Sequence, residues 1–82
     1  MAVFVPHSNL AKTIGQQVIE TEAASVRDLL NEIISQIGKE KWDTLKRVSI
    51  LVNGRNIARL DGLDTPLGPN DQVWMIVPSA GG

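Results

Sequence analysis

The 82-residue chain contains no cysteine, which removes disulfides, thiolate nucleophiles, persulfides and cysteine metal sites together. Any sulfur chemistry must use another group. It also lacks an excess of either charge. Eight basic residues stand against nine acidic ones for a formal charge of -1, so no basic surface is specified for phosphate backbones and nucleic acid is not an expected partner. Long apolar runs are missing too. The N-terminus has no basic region followed by an apolar stretch, and nothing approaches the length of a bilayer span, so we expect a soluble cytoplasmic protein with no membrane partner. The length allows one domain with one modest core, helped by 43% apolar content.

What is present is organised. Ala2-Val3-Phe4-Val5 reads as a first strand ended by Pro6, whose missing N–H ends the ladder. Ser8 to Thr13 is polar and predicts a loop, with a second strand between Gln16 and Thr21. The clearest local signal is a helix. Ser25 is placed to cap it and Asp28 occupies its third position. Val26, Leu29, Leu30, Ile33, Ile34 and Ile37 then recur at three- and four-residue steps, which requires burial of one broad stripe. Gly38 suits the backbone turn that ends it.

Lys39 to Lys46 is charged, with Trp42 and Leu45 spaced to pin a short turn on the core. Val48 to Val52 is the next strand, and Asn53-Gly54 is a strong hairpin signal. Arg55 to Leu60 predicts a short return strand. Asp61 to Asn70 carries Pro66, Pro69 and two glycines, Gly62 and Gly68, predicting turns around Leu63 and Leu67. Val73 to Val77 is the last strand, closed by Pro78. The order fits an α+β fold, a mixed sheet with a single main helix across one face.

A sheet covered on one face should be polar on the other. Here Val48, Ile50 and Val52 can face the helix while Leu51 points away, and Val73, Met75 and Val77 can face in while Trp74 and Ile76 face out. The outer face is therefore apolar near the end of the chain. Such a patch marks either a docking surface or a face covered by a loop or by the Lys39 to Lys46 segment. Beyond it, Ser79, Ala80, Gly81 and Gly82 predict a slim tail bearing a terminal carboxylate, the form of a group inserted into another protein's active site. Glycine leaves no side chain to obstruct a narrow channel.

Several stretches together resemble a known family: Val52-Asn53-Gly54-Arg55-Asn56-Ile57, Leu60-Asp61-Gly62-Leu63-Asp64-Thr65-Pro66-Leu67, Asn70-Asp71-Gln72-Val73, and Val77-Pro78-Ser79-Ala80-Gly81-Gly82. The chain resembles the ubiquitin-like sulfur-carrier proteins, most nearly the small subunit of molybdopterin synthase, with the thiamine-biosynthesis sulfur carrier second. The resemblance implies a beta-grasp domain over residues 1–78, with four to five strands, and an extended tail over 79–82. It implies that an E1-like adenylyltransferase uses ATP to adenylate the Gly82 carboxylate, that a sulfur donor protein converts it to a thiocarboxylate, and that Gly81 threads the channel. Sulfur would then pass to a molybdopterin or tungstopterin precursor in the large synthase subunit. Sulfur delivery for thiamine, cysteine or another metabolite is the alternative, as is conjugation to lysines as a protein modifier. The chain would be a carrier and substrate rather than an enzyme, with no metal and no cofactor of its own.

On this reading Trp74, Ile76, Leu51, Arg55, Arg59, Pro78, Ser79 and Ala80 form the partner-binding set. Arg55 and Arg59 either attract an acidic partner or act as solvated edge residues that resist strand pairing. Two departures from the family pattern stand out. Asn70 replaces a glycine, which asparagine's tolerance of left-handed backbone makes mild, and Val77 and Ser79 replace a proline and a branched residue. His7, isolated in an expected loop, reads as ordinary surface, and Asp61, Asp64 and Asp71 as turn residues.

Overall fold

A computed structural model of the chain describes residues 1–43 and 48–76. Five strands form one sheet: β1 (Ala2–Val5), β2 (Ile19–Thr21), β3 (Ser49–Val52), β4 (Arg55–Asn56) and β5 (Gln72–Ile76). Their spatial order is β2-β1-β5-β3-β4. The first and last strands lie side by side at the centre and run parallel, whereas the other neighbours are antiparallel. The main helix, α2 (Val26–Ile37), packs on one face. This is the mixed sheet with one main helix that the element order predicts, in the beta-grasp arrangement that the resemblance implies.

The core follows from the two periodicities. Ala2 and Phe4, Ile50 and Val52, Val73 and Met75 occupy alternate strand positions, so all point to the helix side and are buried. Val26, Leu29, Leu30 and Ile33 meet them from α2. Each fully buried side chain of this size is worth roughly 1.5–3 kcal/mol in removed apolar surface, so this contact is the main source of stability.

The ends of α2 are set by single residues. Ser25 is extended and its hydroxyl accepts a 3.2 Å hydrogen bond from the Asp28 amide, satisfying a donor that has no partner within the helix. Gly38 has φ +91° and donates to the Ile34 carbonyl at 2.8 Å. That positive φ is costly for any residue with a Cβ, so the helix stops and a short helix, α3 (Lys39–Asp43), departs at a new angle. Trp42 packs against the core from α3, as expected, and Leu45 lies outside the described residues.

Two expectations are corrected. The segment from Ser8, read as a loop, is a helix, α1 (Ser8–Ile14). Leu10 is almost fully buried and Ile14 packs on the same cluster. An i, i+4 pair is enough to seat a two-turn helix, but two large apolar residues in seven establish no period in the sequence. Arg55 to Leu60 does not return as a full strand. Only Arg55–Asn56 pairs with β3, because the Asn56 side-chain oxygen then accepts the Ala58 amide at 2.9 Å and starts a 3-10 turn over Ile57–Arg59.

The turns are stitched to the rest. At the β3–β4 hairpin Asn53 and Gly54 have φ of +52° and +86°, the left-handed pair that a two-residue loop between twisted strands requires. A second 3-10 turn covers Gly62–Asp64. Buried Thr65 ties it down, donating to the Gly62 carbonyl at 2.7 Å and accepting from the Asp61 amide at 3.1 Å. The Thr65 carbonyl accepts from Val26, and Leu67 donates to Ala24, so this loop is fastened to the start of α2.

Candidate functional site

The face of the sheet opposite α2 carries the candidate site. In β5 the alternation is sharp: Val73 and Met75 are 0% and 4% exposed, while Trp74 and Ile76 are 44% and 45% exposed. No described element covers these two side chains, and residues 44–47 of the segment named as a possible cover lie outside the described residues. Strand register extends the patch sideways. Trp74 pairs with Leu51 of β3 on one side and with Val5 of β1 on the other, and Leu51 pairs onward with Asn56. Because directly paired residues share a face, Val5, Trp74, Leu51 and Asn56 make one row across four strands, with Ile76 beside it opposite Ser49. Val5 and Leu51 are half-buried.

Arg55 and Arg59 flank this row at the β4 side. Both are exposed, and together with Leu51, Gly54, Asn56 and Leu60 they line an open hollow of ≈ 540 Å³. Neither forms an ion pair with a described residue, in contrast to Arg27, which pairs with Asp64 at 3.1 Å. An apolar row with cations at one end that pair with no described residue suits a partner surface with an apolar centre and an acidic rim. Trp74, Ile76 and Leu51 thus share the face opposite α2, while Arg55 and Arg59 meet it only at the β4 edge beside Leu51, Arg55 being paired with buried Val52 and so belonging to the helix side of the strand alternation. Pro78, Ser79, Ala80, Gly81 and Gly82 lie outside the described residues, as does Val77.

Sequence reasoning missed Val5 and Leu60, the latter 37% exposed beside the arginines. Alternation in Ala2–Val5 could have assigned Val5 to the face opposite Phe4, but not to Trp74, since that neighbour depends on the parallel β1–β5 register. The aspartates are more particular than generic turn residues. Asp71 accepts the Gly68 amide at 2.7 Å and the Asn53 side-chain amide at 2.9 Å. The Gly68 bond first, and the Asn53 bond after it, hold its carboxyl below the ordinary value of 3.8, because both stabilise the charged form. His7 is half-buried and its carbonyl starts α1 by accepting the Ala11 amide. Among the described residues no three His, Cys, Asp or Glu side chains gather to hold a metal ion, and no helix is long and apolar enough to cross a membrane.

No described side chain on this face is a nucleophile set against a base. Comparison with known proteins agrees with the fold and places it. The model of the ThiS family matches residues 3–82. A protein of Archaeoglobus fulgidus provisionally named a sulfur carrier is 37% identical over 76 residues, covering 83% of this chain and 85% of its own. The solution structure of small archaeal modifier protein 1 from Methanosarcina acetivorans superposes with a TM-score of 0.80 at 23% identity, over 99% of this chain and 95% of that one. A Pyrococcus furiosus structure provisionally named molybdopterin converting factor, subunit 1, gives a TM-score of 0.69 at 28% identity, over 95% of this chain and 97% of that one.

Proposed function

The chain belongs to the ThiS family, within the ubiquitin-like sulfur carriers, and from that premise we propose that its Gly82 carboxylate is the group that carries sulfur. A terminal carboxylate has a pKa of about 3.5 and is ionised at neutral pH, which makes it a poor acyl donor. An E1-like adenylyltransferase overcomes this with ATP: a carboxylate oxygen attacks the α-phosphorus, pyrophosphate leaves, and the acyl carbon now bears a good leaving group. Hydrosulfide, or its equivalent freed from the donor protein by a thiol reductant, attacks the acyl carbon, AMP leaves, and loss of the sulfur's proton gives a thiocarboxylate. Activation and transfer belong to the partners, since this chain supplies the acyl group and the surface that presents it. It is a carrier and a substrate, not an enzyme by itself.

The observation that carries the reading is the apolar row through Trp74 on the strand that leads directly to the Gly81-Gly82 tail. Placing each tail residue in one conformation inside a partner costs about 1–2 kcal/mol in backbone entropy. Burial of Trp74, Ile76 and Leu51 against that partner offsets the cost.

The acceptor we favour is an enzyme that builds sulfur into thiamine, cysteine or another metabolite, in keeping with the family match. A second reading, small subunit of molybdopterin or tungstopterin synthase, draws on the likeness to the Pyrococcus furiosus protein. The test is intact mass after incubation with ATP, a cognate activating enzyme and a sulfur source. Replacement of one oxygen by sulfur is expected, and a chain lacking Gly82 should stay unmodified. Persistence of the original mass with several competent activating enzymes would sink the proposal. Lysine adducts in cell extract, without free thiocarboxylate, would replace it with a modifier role.

A further inference from the structure

The β3–β4 hairpin joins two facts that have no bearing on sulfur transfer. Its loop is Asn53-Gly54, and an asparagine followed by glycine is the pair most open to deamidation, since glycine has no side chain to hinder attack by its own backbone nitrogen. Asn53 is also exposed to water. Yet its carboxamide is held at both ends. Nδ2 donates to Asp71 Oδ1 at 2.9 Å, and Oδ1 accepts the Gln72 amide at 2.9 Å. The backbone repeats the attachment, with the Asn53 amide donating to the Gln72 carbonyl at 2.8 Å. Asp71 is itself fixed by the Gly68 amide at 2.7 Å. No Cβ at Gly54 would meet anything within 4 Å, so neither packing around the loop nor burial protects it. The protection rests on the side-chain latch.

We propose that Asn53 is a latent deamidation site kept closed by Asp71. In the reaction the Gly54 nitrogen loses its proton and bonds to Asn53 Cγ, the Cγ–Nδ2 bond breaks, and ammonia leaves with that proton. Water then opens the succinimide. Cleavage at the Cγ side gives aspartate, and cleavage at the main-chain carbonyl gives isoaspartate. The first step requires Cγ to turn toward the Gly54 nitrogen, which breaks both side-chain hydrogen bonds, and the ionised Asp71 acceptor makes one of them charge-assisted. Either product opposes a new carboxylate to Asp71, and isoaspartate adds a methylene to the backbone of a two-residue loop. Conversion would therefore loosen the register of β3 with β5. This holds whether or not the chain carries sulfur.

The experiment follows conversion at position 53 by peptide mapping and isoaspartate detection at mildly alkaline pH, in folded wild type, Asp71→Ala, Asp71→Asn, Thr21→Ala and a free peptide spanning residues 51–57. Thr21 bonds Glu32 at 3.1 Å on the far side of the sheet, so its loss perturbs the fold and leaves the latch intact. We expect wild type and Thr21→Ala to convert slowly, and Asp71→Ala at least roughly tenfold faster, the factor carried by a hydrogen bond to a charged group. Asp71→Asn should fall between, and it carries the test if Asp71→Ala does not fold. Wild type converting as fast as the free peptide, Asp71 variants no faster than wild type, or Thr21→Ala accelerated as much as they are, would each overturn the proposal.

Discussion

One strand of this protein has two fates. Along β5, Val73 and Met75 are sealed beneath α2, while their immediate neighbours Trp74 and Ile76 stand nearly half exposed on the opposite face. Both sets are large and apolar, so hydrophobicity alone does not distinguish them. What differs is what lies above: α2 supplies Leu29, Leu30 and Ile33 to one face, and no described element supplies anything to the other. The lesson is that folding consumes one face of the sheet and leaves an apolar row, Val5, Trp74, Leu51 and Ile76, outside the core on the other. An exposed tryptophan at the centre of a cross-strand row has no folding task that would require it, and tryptophan at the centre of a patch is a frequent anchor of binding energy.

Substitutions should separate the two faces. The largest effect is expected from Phe4→Ala, which empties a fully buried site on the helix side and should cost about 3–5 kcal/mol in stability, read by denaturant unfolding. Trp74→Ala is the converse. It should cost about 1 kcal/mol or less in stability yet weaken binding to the activating enzyme by about 2 kcal/mol or more, read by calorimetry. Equal loss of stability in both variants would erase the distinction between faces.

A smaller effect separates the sheet from its turns. Asp71 has a folded-state pKa below its ordinary 3.8, so its contribution to stability is present above that value and is lost as pH falls through the lower folded pKa. Asp71→Asn should therefore be less stable than wild type at neutral pH, with the gap closing in strong acid. A gap constant with pH would mean the carboxylate charge is not what Gly68 and Asn53 hold. The smallest effect belongs to the exposed Arg27–Asp64 pair. Asp64→Asn should change stability by no more than about 0.5 kcal/mol and leave partner binding unaltered, since the pair lies on the helix side.

How far the residues alone disclose this depends on the range of the interaction. The α2 stripe, Ser25, Gly38 and Asn53-Gly54 act through their own neighbours, and all are legible. Trp74 and Ile76 are legible as outward-facing because strand alternation is local too. By contrast, α1 rests on Leu10 reaching a core built from distant strands, and the turn after Asn56 rests on one side-chain hydrogen bond that competes with continued pairing. The row from Val5 to Asn56 depends on register between strands at opposite ends of the chain. No local pattern encodes that register, so Val5 was invisible as part of the site while Leu51 and Trp74 were not.

The most direct measurement is an amide NMR titration of the folded chain with its activating enzyme. The account predicts that signals of Val5, Leu51, Trp74 and Ile76 shift or broaden first, with Arg55 and Arg59 beside them, while Arg27, Asn31 and Ser35 on the outer side of α2 stay in place. Binding that perturbs the α2 residues and leaves Trp74 untouched would contradict it.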